Sequence, residues 1–267
     1  MPRLAAAGYH KLMPNLPWHI HLAHQTAERL DWGSAHDNVG SLYLGSTAPD
    51  IRAMTKWPRA HTHFAGLSVQ EVGSGGRRMF DLHPELACTD RLSPATRAFV
   101  LGYISHLVAD EVWITTIFRP NFDPQQRDKM IAASALEAQI WDRALQLDMD
   151  RKSSAEMGGF VQAAEAVTCA AQKVEISFLG ADILLQWQEW VGRFMSWDFT
   201  WARLKRALNR MYRDDDDVQR AVDGFLGQMP QSLEHIYKEL PEETIATYQN
   251  QALEQTVLQA REFFGEA

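Results

Sequence analysis

Residues 102–113 read GYISHLVADEVW, an apolar run that carries His106 and Asp110 four positions apart. In an α-helix this spacing is about one turn, so both side chains leave the same face. Tyr103, Leu107 and Trp113 lie on that face too, which puts an imidazole and a carboxylate in an apolar stripe. Two readings satisfy the chemistry. The pair can be a hydrogen-bonded couple inside a helical core, because buried polar groups find partners. It can also be two ligands of a metal ion, because imidazole nitrogen and carboxylate oxygen are usual ligands of catalytic zinc. The surrounding sequence decides between them.

Outward from this stretch the pattern is helical almost throughout, with no run of alternating β-branched residues. Ser93-Pro94 supplies an N-cap followed by proline at the first helical position, and the helix it opens runs to about Phe118, where RPNFDP stops it. Upstream, PWHIHLAHQTAERL (17–30) reads as a helix, and AHDNVGSLYLGSTAPDIRAM (35–54) opens as one and breaks at Ala48-Pro49. Residues 52–92 look loop-rich, with Pro58, GSGG at 73–76 and Pro84. Downstream, QQRDKMIAASALEAQIWDRALQLDMD (125–150) is an amphipathic helix and KSSAEMGG (152–159) a linker. The segments 160–178, 180–211, 214–228, 230–239 and 241–264 each read as helical, with the acidic run at 214–217 suiting a helix start. The expectation is an all-α, single multi-helix domain over 1–267. In it, 14–122 form a metal-site half, 123–267 a helical remainder and 1–13 a possible extension.

Composition narrows the function. The net charge of −8 and a pI near 5.7 exclude a protein that coats nucleic acid or anionic membrane through a basic surface. No window approaches the roughly eighteen apolar residues of a membrane span, and the N-terminus lacks the apolar core of a secretion signal. Cys88 and Cys169 are far apart and form no CxxC pair. That excludes a Cys-based structural zinc site, argues against a disulfide framework and makes a cytoplasmic location the default.

Histidine is distributed unevenly: of ten, only His235 lies beyond His106. A histidine site must therefore be built from the first part of the chain, and later segments can add only carboxylates or walls. The candidates are His19, His21 and His24 in PWHIHLAH, Asp50 directly after the helix-breaking Pro49, and His61 and His63 in RAHTHF. Such a mixed nitrogen and oxygen set suits zinc, and iron or manganese as well. Arg52, Lys56 and Arg59 follow Asp50 and are placed either to grip an anionic substrate or to lie in a solvated loop. Trp187, Trp190, Trp197 and Trp201 stand at helical spacing, which favours core packing over the wall of a lipid or base pocket. His10 and His36 show no partner in the sequence.

The order of these elements resembles the bacterial zinc-dependent phospholipase C family, whose superfamily includes single-strand-specific zinc nucleases. LPWHIHLA, GSLYLGSTAPDIRAMTKWPR, THF and FVLGYISHLVADEVWITTIFRPNF carry the resemblance, over roughly residues 14–122. It implies an all-α fold, zinc, and hydrolysis of a phosphoester, lipid or small molecule, through a metal-activated water. It also implies metal ligands at His19, Asp50, His63, His106 and Asp110, with Asp50 the general base and Asp110 bridging two metals. Classical members place a further histidine soon after the HxxxD pair, then an HxxxE or HxxxD helix. Here EVWITTIFRP has none. Glu111, Glu137 and Asp142 are the nearby carboxylates that could substitute, and His21 and His61 are second choices for the helical and loop histidines. The expectation is a reduced centre of one or two ions in a divergent, cytoplasmic-looking branch of the family. The alternatives are other metal-dependent hydrolase or lyase chemistry, or a non-catalytic helical scaffold.

Overall fold

The computed structural model describes residues 16–126, 128–212 and 215–265, and every regular element among them is helical. Expectations for residues 1–15, the possible extension and His10 included, lie outside the described residues. Helices of seven residues or more are α1 (Leu16–Leu30), α2 (Val39–Thr47), α3 (Ser74–Leu82), α4 (Pro94–Val112), α5 (Ala135–Glu156), α6 (Val161–Val167), α7 (Ala181–Met195), α8 (Ala202–Met211), α9 (Asp216–Gly227), α10 (Gln231–Glu239) and α11 (Glu242–Phe264).

The opening stretch forms the second half of α4. Ser93 Oγ accepts the Thr96 N–H at 3.1 Å, so the helix begins at its expected cap. From Ala95 to Val112 every residue of α4 but Arg97 is buried, which a helix achieves only by being enclosed on all sides. Its neighbours are α2, α11 and α1. The contact with α2 is the closest, because Gly45 and Gly102 remove the side chains that would hold the two backbones apart. A Cβ on Gly102 would run into the Leu42 carbonyl, and one on Gly45 into that of Phe99. α1 is tied to the same core by Trp18, whose Nε1–H donates to the Tyr248 hydroxyl at 2.8 Å. Its backbone N–H donates to Asp150 Oδ1 on α5 at 3.2 Å.

Several elements differ from the sequence expectation, among them the helix read over 160–178, which ends at Val167. GSGG, read as loop, opens α3, because the Glu111 carboxylate caps that end: it accepts from the N–H groups of Gly73 (2.5 Å) and Gly75 (2.7 Å) and from Ser74 Oγ (3.1 Å). The helix expected over 125–150 begins later, at the Ser134 cap, and runs through the first part of the expected linker to Glu156. The segment 180–211 breaks into α7 and α8 at residues 196–201. Beyond Val112, α4 widens into a π-helical turn over Trp113–Phe118, with the Thr115 and Thr116 hydroxyls donating to the Glu111 and Val112 carbonyls at 2.8 and 2.7 Å. Both cysteines are free and exposed, and no helix among the described residues is long and apolar enough to cross a membrane.

Candidate metal centre

Four separate elements bring together the side chains picked out by sequence. α1 supplies His19, the tight turn Ala48–Ile51 supplies Asp50, the short helix Arg59–His63 ends on His63, and α4 supplies His106 and Asp110. His19, His106 and Asp110 form one group able to hold a metal ion, and Asp50, His63 and His106 form a second. The His63 and His106 Nε2 atoms stand 3.3 Å apart. His63 Nε2 is 3.2 Å from Asp110 Oδ2 and 3.8 Å from Asp50 Oδ1. His19 Nε2 lies 3.6 Å from Asp110 Oδ1, its ring stacked on that of His106 at 3.7 Å.

Neighbours fix several of these side chains. His106 Nδ1 lies 2.8 Å from the Ser46 carbonyl. A carbonyl can only accept, so Nδ1 carries the proton and the neutral ring presents its lone pair at Nε2. The close α2–α4 contact puts Ser46 there. The Tyr103 hydroxyl donates to the Thr62 carbonyl at 2.5 Å, fixing the turn that precedes His63. Tyr248, held by Trp18, reaches the Ala109 carbonyl at 3.4 Å, beside Asp110.

Charge at the site is set by burial and by one arginine. Asp110 is fully buried, and its Oδ2 accepts from Arg59 Nη2 at 2.9 Å. Burial resists its negative charge, but His106 and Arg59 together hold the carboxyl well below the usual range. Burial, reinforced by Arg59, pulls the His63 imidazole down to about 3, leaving it neutral, the form that binds metal. Burial also opposes charge on His106, but Asp110 outweighs it and raises the imidazole's affinity for a proton. Asp50 is the most accessible of the five, its side chain 29% exposed at the mouth of the cluster.

These residues fit a metal ion. Asp110 Oδ1 is buried and has no hydrogen-bond donor, a costly state for a carboxylate oxygen unless a cation completes it. Two ligand atoms on one tetrahedral zinc with bonds of about 2.0–2.1 Å stand about 3.3–3.4 Å apart. The spacings of 3.2 and 3.3 Å around His63, and of 3.6 Å between His19 Nε2 and Asp110 Oδ1, lie near that edge.

The second-choice residues lie in other surroundings. His21 pairs with Glu156 at 3.5 Å, and burial lowers its affinity for a proton. His61 is exposed, with its ring 4.6 Å from that of Trp57. Glu111 is occupied in capping α3, and Glu137 forms a capping box with Ser134, its carboxylate accepting from the Ala133 N–H at 2.7 Å. Asp142 is buried, each oxygen accepting at 2.9 Å, from Trp113 Nε1 and from Gln146 Nε2. None of these joins either ligand group. Arg52 is half-buried near the Trp57 carbonyl and Lys56 is exposed, whereas Arg59 lies inside, on Asp110. Trp187 packs in the core, donating to Thr47 Oγ1 at 3.1 Å, while Trp197 is exposed.

Two features escaped sequence reading. Arg59 and His63 are four apart, so a one-turn helix there puts them on one face, but the residues before Pro58 read as loop. Arg143 is buried on α5, where Asp142, Asp150, Asp50 and Asp110 support its charge against burial. Only its neighbours in space distinguish it from a surface arginine.

Fold and site together define an all-α protein with a largely buried His/Asp cluster that could hold a metal ion. Residues 18–113 match the family model for zinc-dependent phospholipase C, which supports membership of that family. The match spans all five clustered residues and ends at Trp113, where the π-helical turn begins. Comparisons with curated proteins and with solved structures give no match.

Proposed function

We propose that the protein is a zinc-dependent hydrolase of a phosphoester, with its metal centre built from His19, Asp50, His63, His106 and Asp110. The observation that carries this reading is the convergence of these five side chains in two overlapping groups able to hold a metal ion, with one buried Asp110 oxygen that no donor reaches. When bound, zinc polarises a phosphoryl oxygen and lowers the pKa of bound water toward 7. Asp50, exposed at the mouth, is placed to take the proton of the attacking water as general base. Arg52, half-buried beside Asp50 in sequence, is the side chain best placed to meet an incoming phosphate. The exposed free thiols of Cys88 and Cys169 suit a reducing, cytoplasmic compartment.

Metal analysis of protein purified without chelator tests the proposal, together with hydrolysis of small and lipid phosphodiesters. Zinc binding that falls at least tenfold in His106→Ala and in Asp110→Ala is the expected result. Less than about half an equivalent of zinc, iron or manganese, with no hydrolysis after reconstitution, overturns the proposal in favour of a scaffold. Unchanged metal content in both variants removes these residues from the ligand set.

A further inference from the structure

Both candidate ligand groups draw on the same atom. His106 appears in each, and with Nδ1 committed to the Ser46 carbonyl it has one lone pair, at Nε2. One nitrogen lone pair serves one ion. His19 Nε2 lies 3.6 Å from Asp110 Oδ1 and His106 Nε2 3.6 Å from Oδ2; if His106 joins His19 on Asp110, then Asp50 and His63 are left needing a third ligand. The atom at hand is Asp110 Oδ2, 3.2 Å from His63 Nε2. That oxygen is held by Arg59 at 2.9 Å, with the arginine side chain 7% exposed. A guanidinium does not deprotonate in a protein, so it does not leave this position by titration. The short helix Arg59–His63 also tethers it one turn from His63.

Building on the metal-hydrolase reading, we propose that Arg59 stands in for a second metal ion and makes this a one-ion centre. The five side chains would otherwise divide into two half-sites bridged by Asp110: His19 and His106 on one side, Asp50 and His63 on the other. Arg59 supplies the second half-site with its positive charge and blocks its bridging ligand. Asp50 is then released from metal binding and free to act on a proton.

The test is the zinc count of the full chain, read by native mass spectrometry and elemental analysis in excess zinc. Wild type is expected to hold one ion. Arg59→Gln, which frees Oδ2 and removes the charge, is expected to hold two, whereas Arg59→Lys keeps the charge and stays at one. Two or more ions in wild type overturn the inference and leave the metal-hydrolase reading standing; no ion overturns both. A folded Arg59→Gln that stays at one ion overturns the role given to Arg59. Should that variant not fold, the wild-type count and Arg59→Lys decide: one ion in each supports the inference, and two in either overturns it.

Discussion

Asp142 is a fully buried carboxyl with no part in the ligand cluster, and it should dominate the stability of the protein between pH 4 and 7. Burial pushes it from an ordinary 3.8 up to about 7, against the opposing pull of Arg143, Trp113 and Gln146. The folded chain therefore keeps a proton that the unfolded chain releases near pH 4. Across that window the native state binds more protons, so stability falls as pH rises and levels off above the folded value. A shift of about 3 units at about 1.4 kcal/mol each sets a ceiling of about 4 kcal/mol. Asp142→Asn retains an oxygen for Trp113 Nε1 and cannot titrate. Every other titrating group is shared by the two proteins, so its effect cancels in their difference. Urea unfolding of both, followed by tryptophan fluorescence from pH 4.5 to 8, should show wild type gaining on the variant as pH falls, by about 2–4 kcal/mol in all. A difference that stays constant within about 0.5 kcal/mol would refute the reasoning, and would mean that the Trp113 and Gln146 donors keep the carboxylate ionised throughout.

Two further substitutions separate packing from ligation. Gly102→Ala drives a methyl group into the Leu42 carbonyl, and the expected strain of about 3 kcal/mol exceeds the helix-propensity gain of about 1. A net loss of about 2 kcal/mol lowers the thermal midpoint by about 4–8 °C. As α2 moves away, Ser46 releases His106 Nδ1, and zinc affinity should drop about tenfold in a competition titration. Glu111→Ala removes the acceptor of three donors at the start of α3, and should cost about 2–3 kcal/mol in chemical unfolding. Its zinc content should be unchanged; zinc loss at full stability would instead make Glu111 a ligand.

The clustered side chains were legible in the sequence because each belongs to a short local pattern: HxxxD on a helical face, an aspartate behind a helix-breaking proline, a histidine ahead of phenylalanine. What surrounds them was not, because it depends on residues distant along the chain. Glu111 looks like a spare ligand beside Asp110 until α3, whose cap lies 36–38 residues earlier, is seen to consume it. GSGG looks flexible, but those glycines make room: a Cβ on Gly75 would meet the His63 carbonyl and Glu111, and one on Gly76 would meet Gln259. α5 has the polar spacing of a surface helix, yet Asp142, Arg143, Asp148 and Asp150 are buried. They are needed inside, for Asp142 receives Trp113, Asp150 receives the backbone of Trp18, and Asp148 accepts from Tyr237 at 2.7 Å.

The position of Arg59 ties the count of ions to the folding of the chain. A carboxylate as deeply enclosed as Asp110 could not remain ionised in an apolar core without a partner, because desolvation alone would force a proton onto it. In a centre assembled wholly around metals, that partner arrives only with the ions, and folding then depends on them. Here Arg59 is built into the chain and holds Asp110 as a carboxylate before any ion binds. The cost is that the same charge repels a cation from the His63 side. The benefit is that Oδ1, free of any donor, stays 3.6 Å from His19 Nε2. A covalently tethered cation on one carboxylate oxygen and an open position on the other thus account together for a site formed in advance and for the single ion expected in it.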